Sequence, residues 1–119
     1  MGTFDEYDNY DAVGLSELVA AGEVTSAELV ETAISRTEEL NPSLNAVIVK
    51  NYERARSQAA AGDLPGPFYG VPFLTKDLAG VSGDVTSFGS VFFRDYRSEE
   101  SDEYQLRTQR AGLISIGRT

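Results

Sequence analysis

Apolar positions along this chain change period several times, and each change marks an element. Thr25-Ser26-Ala27-Glu28 has the spacing of a capping box, with Val24 and Leu29 placed as a hydrophobic staple. Leu29, Val30, Ala33, Ile34 and Leu40 then recur at helical spacing. The pattern predicts a helix that Asn41-Pro42 stops, because the residue before a proline is driven out of the helical region. Upstream, Asp11 is placed to cap a shorter helix through Ala21, with Leu15, Leu18 and Val19 on one face and Gly22 as its stop. Together they read as a helical hairpin whose stripes are packing scaffold.

Beyond the hairpin the period shortens. Ala46-Val47-Ile48-Val49 is a β-branched run that predicts a strand, and a helix over Tyr52 to Ala61 follows, ended by Gly62. Asp63 to Pro67 is a turn, Phe73 to Leu78 a second strand, and Gly80 to Gly89, rich in glycine and hydroxyls, a loop. Ser101 is placed to cap a last helix through Ala111, with Asp102 and Glu103 at its positive end and Gly112 closing it. Leu113-Ile114-Ser115-Ile116 is a third strand, apolar enough to be buried on both faces of a parallel sheet, and its pattern predicts an edge left open for a further strand. Strands alternating with helices imply an α/β fold: the hairpin, then the first βαβ units of a mixed sheet covered by helices.

Composition narrows the function classes. At 119 residues the chain is the size of one small domain. A formal net charge of −9 argues against nucleic acid and against anionic membrane surfaces, and no apolar run approaches a membrane span. The opening residues lack the basic and apolar regions of a signal peptide, so a cytoplasmic location is the expectation. Residues 1–10 read as an acidic arm, solvated, with Phe4, Tyr7 and Tyr10 packing on the body. With no Cys and no His, a thiol nucleophile, a disulfide framework and a Ser-His-Asp triad are all excluded within this sequence.

The position that carries chemistry is Lys76. It sits in Gly70-Val71-Pro72-Phe73-Leu74-Thr75-Lys76-Asp77-Leu78, an apolar run in which an amine is poorly placed for solvation. The chain has ten basic residues, eight of them Arg, and only lysine readily becomes a neutral base. Burial would disfavour its ammonium form, which is how a lysine becomes a proton acceptor near neutral pH. The competing reading is a strand-end lysine that snorkels to water or pairs with an acid. Lys50, at an element end, reads as solvated. Asp77 points to the opposite face if the strand persists, which suits holding the following turn. Gly80-Val81-Ser82-Gly83 is too loosely spaced for a phosphate loop, and Phe92 and Phe93 read as core or lid packing.

Pro67-Phe68-Tyr69-Gly70-Val71-Pro72-Phe73-Leu74-Thr75-Lys76-Asp77-Leu78 resembles the Gly-Val/Ile-Pro-x-x-x-Lys-Asp segment that opens the catalytic region of the amidase signature hydrolases. The resemblance extends, in order, through Leu15-Ser16-Glu17-Leu18, Gly22 to Val30, Leu40 to Val47, Ser87-Phe88-Gly89-Ser90 and Arg110 to Thr119. It implies that Lys76 is the catalytic base of a Ser-Ser-Lys relay that cleaves a carboxylic amide, with no metal or organic cofactor. It implies also that residues 1–119 are the N-terminal part of a single amidase domain, with an incomplete amidase signature fold, inactive alone because both serines are supplied by the remainder of the domain. The loop after the lysine, Thr86, Ser87, Phe88 and Gly89 included, would either line the substrate pocket or merely satisfy its own backbone. Arg118 stands where relatives often have lysine, a mild departure. The cadence around Lys76 is most similar to small-amide and cyclic 6-aminohexanoate dimer hydrolases, so the implied partner is a small-molecule amide; a homodimer is open. The alternative is a noncatalytic α/β interaction module derived from an amidase.

Overall fold

The computed structural model describes residues 2–119; Met1, the first residue of the acidic arm, lies outside them. In chain order the elements are α1 (Ala12–Ala20), α2 (Ser26–Leu44), β1 (Val49–Lys50), α3 (Tyr52–Ala61), β2 (Pro72–Thr75), α4 (Glu103–Arg110) and β3 (Ile114–Arg118). The three strands form one mixed sheet in the order β1-β3-β2, with β2 parallel and β1 antiparallel to β3. The α/β fold class therefore holds. The open edge foreseen for the third strand does not, because β3 lies in the centre with a strand on either side.

Local chemistry explains most element boundaries. Asp11 accepts the Gly14 N–H at the start of α1, and Thr25 and Glu28 form the reciprocal capping box at the start of α2. Pro42 does not stop α2. Near a helix end a proline forfeits little, and Asn45, in the left-handed region at φ 49°, closes the helix by donating its N–H to the Asn41 carbonyl at 2.7 Å. The Asn41 side chain then takes both backbone groups of Val47, at 2.9 and 3.0 Å, which withdraws Val47 from the sheet and leaves β1 at two residues. At α4 the cap is Asp102, not Ser101: its carboxylate accepts from Gln105 N and from Gly80 N, while Ser101 Oγ accepts from Ser82 N.

The core has two parts. Val30, Ala33 and Ile34 of α2 pack with Ala55 and Ala59 of α3 against Ile114 and Ile116 of β3. Leu15, Val24, Leu29 and Val71 form the second cluster, and Phe4 and Tyr7 of the arm pack against it. Four residues of the predicted α2 stripe are thus core, whereas Leu40 is exposed. Of the two readings for Phe92 and Phe93, core packing does not hold: they lie in a short 3-10 turn, Val91–Phe93, where Phe92 is 87% exposed and Phe93 packs edge-on against Phe88, Phe92 and Tyr96.

Candidate active site

Strand β2 ends at Thr75, three residues before the predicted boundary, because the chain turns where Ala79 N–H bonds to the Lys76 carbonyl at 3.0 Å. Thr119 N–H donates to Thr75 O and Asp77 N–H to Thr119 O, each at 2.9 Å, so the carboxyl ends of the two parallel strands are laced together. Lys76 sits at that end, where α/β sheets place their ligands. Its side chain is exposed and its Nζ donates to the Thr119 carbonyl at 3.1 Å. The burial inferred from the apolar run is therefore absent among the described residues, because β2 pairs on one side only and the chain leaves the sheet one residue before the lysine. Lys50 is exposed as expected and pairs with Glu38 at 2.6 Å.

Asp77 turns inward and is 4% exposed. Its Oδ1 accepts from Ser87 N at 3.0 Å and from Arg118 Nε and Nη2 at 3.2 Å, and its Oδ2 accepts from the Ser87 hydroxyl. Burial works against ionisation of Asp77, but the Ser87 hydroxyl and N–H, followed by Arg118, outweigh it and hold the carboxyl below the usual carboxylate range. Arg118, 1% exposed, also donates to the Ala79 carbonyl at 2.7 Å and to Thr86 Oγ1 at 3.2 Å. Its Nη1 is buried without a partner among the described residues.

The loop after the lysine is held from both sides. Val85 bridges Arg97, Thr86 N–H donates to Tyr96 O at 2.9 Å, and Thr86 Oγ1 lies 2.9 Å from Ser98 Oγ. Of the residues singled out in sequence, Ser87 is brought onto Asp77, one residue from Lys76. Phe88 and Gly89 are exposed on the same loop, and both occupy the left-handed region, with φ 53° at Phe88. That conformation is uncommon for a bulky side chain and concentrates at sites where surrounding contacts enforce it. The Phe88 ring packs edge-on to Phe93 at 5.4 Å and, with Leu78, Tyr96 and Ser98, borders an open cleft of about 420 Å³. Among the described residues no group of three or more Asp, Glu, His or Cys side chains is placed to hold a metal ion, and no helix is long and apolar enough to cross a membrane.

Sequence reasoning missed the inward-facing role of Arg118, whereas Thr86, expected to line a pocket or satisfy its own loop, turns inward onto Arg118 and Ser98. The available signal was a charged residue ending an apolar strand, which demands a partner once that strand is central.

Residues 28–119 match the family profile described as Amidase. The chain is 37% identical over 112 residues to a 6-aminohexanoate-cyclic-dimer hydrolase of Paenarthrobacter ureafaciens, a match covering 92% of this chain and 22% of that protein. It is 39% identical over 116 residues to a lipoamidase of Enterococcus faecalis, covering 96% of this chain and 16% of the relative. The fold superimposes on the solved structure of 6-aminohexanoate cyclic dimer hydrolase complexed with substrate with a TM-score of 0.85 at 33% identity, over 98% of this chain and 24% of that one. The chain thus spans about a fifth of the length of the curated relatives it matches. Profile, relatives and fold agree over nearly all of its residues, and the chain belongs to the amidase family, the enzymes of the amidase signature.

Proposed function

We propose that these residues are the N-terminal part of a single amidase domain, led by the acidic arm of residues 1–10, in a serine amidohydrolase that cleaves a carboxylic amide C–N bond. The observation that carries the reading is the position of Lys76 at the carboxyl end of the parallel β2–β3 pair, one residue from the point where Ser87 is tied down. In this reading Lys76, as the neutral amine, takes a proton from a bridging serine. That serine takes one from the nucleophilic serine as it attacks the amide carbonyl, and the lysine ammonium returns a proton to the leaving amine. Both serines come from the remainder of the domain. The same remainder covers the exposed lysine, since shielding an amine from water disfavours its charged form.

Ser87, Phe88 and Gly89 line the substrate side of the site, next to the cleft that Phe88 borders. The substrate is a small or cyclic amide, a class supported by the 37% match to a cyclic-dimer hydrolase. The enzyme works in the cytoplasm.

The test uses the full-length protein and a panel of amides: cyclic 6-aminohexanoate dimer, 4-nitroacetanilide, a long-chain acyl amide and glutaminyl-tRNA. Lys76→Ala is expected to lower turnover about 10²–10⁴-fold, the span of a positioned acid-base group, while Lys50→Ala leaves it unchanged. The isolated 119 residues are expected to be inactive. Equal effects of the two substitutions would overturn the role of Lys76. Turnover restricted to long acyl or tRNA-linked substrates would overturn the substrate class.

A further inference from the structure

Three segments converge on the Asp77 carboxylate: the end of β2, the end of β3 through Arg118, and the loop after the lysine through Ser87. A buried ion pair is a poor way to gain stability, because taking both charges out of water offsets most of their attraction. What this one supplies is placement. The carboxylate belongs to the residue after Lys76 and receives both the backbone N–H and the hydroxyl of Ser87. The next residue, Phe88, is held at φ 53°, a conformation that a bulky side chain keeps only where its surroundings impose it. Tyr96 O, accepting from Thr86 N at 2.9 Å, and Ser87 O, accepting from Ser90 N at 2.9 Å, complete the enclosure.

We infer that Asp77 is a positioning residue of the amide-cleaving site: through the paired N–H and O–H of Ser87 it clamps the Thr86–Gly89 loop to the backbone beside Lys76, and Arg118 fixes the carboxylate that does so. This rests on the amidase reading above and deepens it, since the clamped loop is the one assigned to the substrate side. Asp77 touches no reacting atom. Its effect on the reaction passes through the loop.

Ser87→Ala in the full-length enzyme is the decisive variant, because it removes one arm of the clamp and leaves the Asp77–Arg118 pair intact. With cyclic 6-aminohexanoate dimer and 4-nitroacetanilide as probes, KM is expected to rise about tenfold, the scale of a lost hydrogen bond to a charged group, and Ser87→Thr, which keeps the hydroxyl, to restore it. Hydrogen exchange of the 86–90 amides is expected to speed up while that of β3 stays unchanged. A fall in kcat that tracks a lower thermal midpoint, with KM unmoved, would mark Ser87 as merely structural and overturn the inference; so would unaltered exchange at 86–90. Full activity in Lys76→Ala would instead overturn the amidase reading, and the exchange measurement alone would then decide whether the clamp exists.

Discussion

Replacing Arg118 by methionine tests the buried network most directly. The guanidinium is 1% exposed and supplies hydrogen bonds to Asp77, to the Ala79 carbonyl and to Thr86. Methionine fills the stem but removes every donor, leaving the Asp77 carboxylate buried with Ser87 as its remaining partner. Breaking such a pair from one side costs about 3–5 kcal/mol, roughly a fifth or more of the 5–15 kcal/mol expected for a domain. With a urea slope of about 1–3 kcal/mol per molar, the midpoint should fall by roughly 2 M. Adding Asp77→Asn removes the stranded charge, so the double variant should be more stable than Arg118→Met alone. The pH dependence follows from the depressed folded-state pKa of Asp77: its contribution is complete above the unfolded-state value and is lost as pH falls through the lower folded value. The gap between parent and Arg118→Met, followed by circular dichroism in urea, should therefore narrow in acid, where a protonated Asp77 no longer needs its partner. A loss below about 1 kcal/mol at neutral pH, or single-variant costs that simply add in the double, would refute the reasoning.

Gly112→Ala should cost upwards of about 2 kcal/mol in the same assay, because φ is +91° and the new Cβ would lie 2.2 Å from the Pro65 carbonyl oxygen. Gly83→Ala, at φ +82° with open space around it, should cost only the backbone strain of about 1–2 kcal/mol; equal losses at both positions would show that the close approach at Gly112 is unimportant. The isolated chain should associate as its concentration rises, read by light scattering, through an aromatic ridge where Val91 is 77% and Phe92 87% exposed. Phe92→Ser should weaken that association, and a monomer with one sharp, concentration-independent thermal transition would contradict it.

Where the sequence was legible, the cause was local. The capping box at Thr25, the left-handed stop at Gly62 and the span of α3 depend on residues a few positions apart, and each stands where the pattern put it. The failures share the opposite property. The cap of α4 depends on Asp102 also binding Gly80, a residue 22 positions away. The central place of β3 depends on β1 returning antiparallel to it. No window of periodicity contains those partners.

Lys76 and Asp77 show the same division within one dipeptide. The lysine was found from its residue type, an amine in an apolar run, and that argument also foretold burial. The structure instead exposes the amine and buries the carboxylate. The inversion has a physical source. A strand that pairs on one side only gives an amine an open route to water, whereas a carboxylate beside the central strand meets Arg118 from that strand and Ser87 from the returning loop. Asp77 thus keeps its charge inside because two segments distant in sequence bring donors to it. The Lys76 amine, by contrast, stays exposed among the described residues. The apolar residues flanking Lys76 are consistent with that division: Val71 and Pro72 pack inward, while Leu74 and Leu78 are 36% and 60% exposed. An apolar flank that remains exposed around a lone amine is what a lysine destined for burial against another part of a domain requires, and it is the physical content of the proposal that the rest of an amidase domain completes the site.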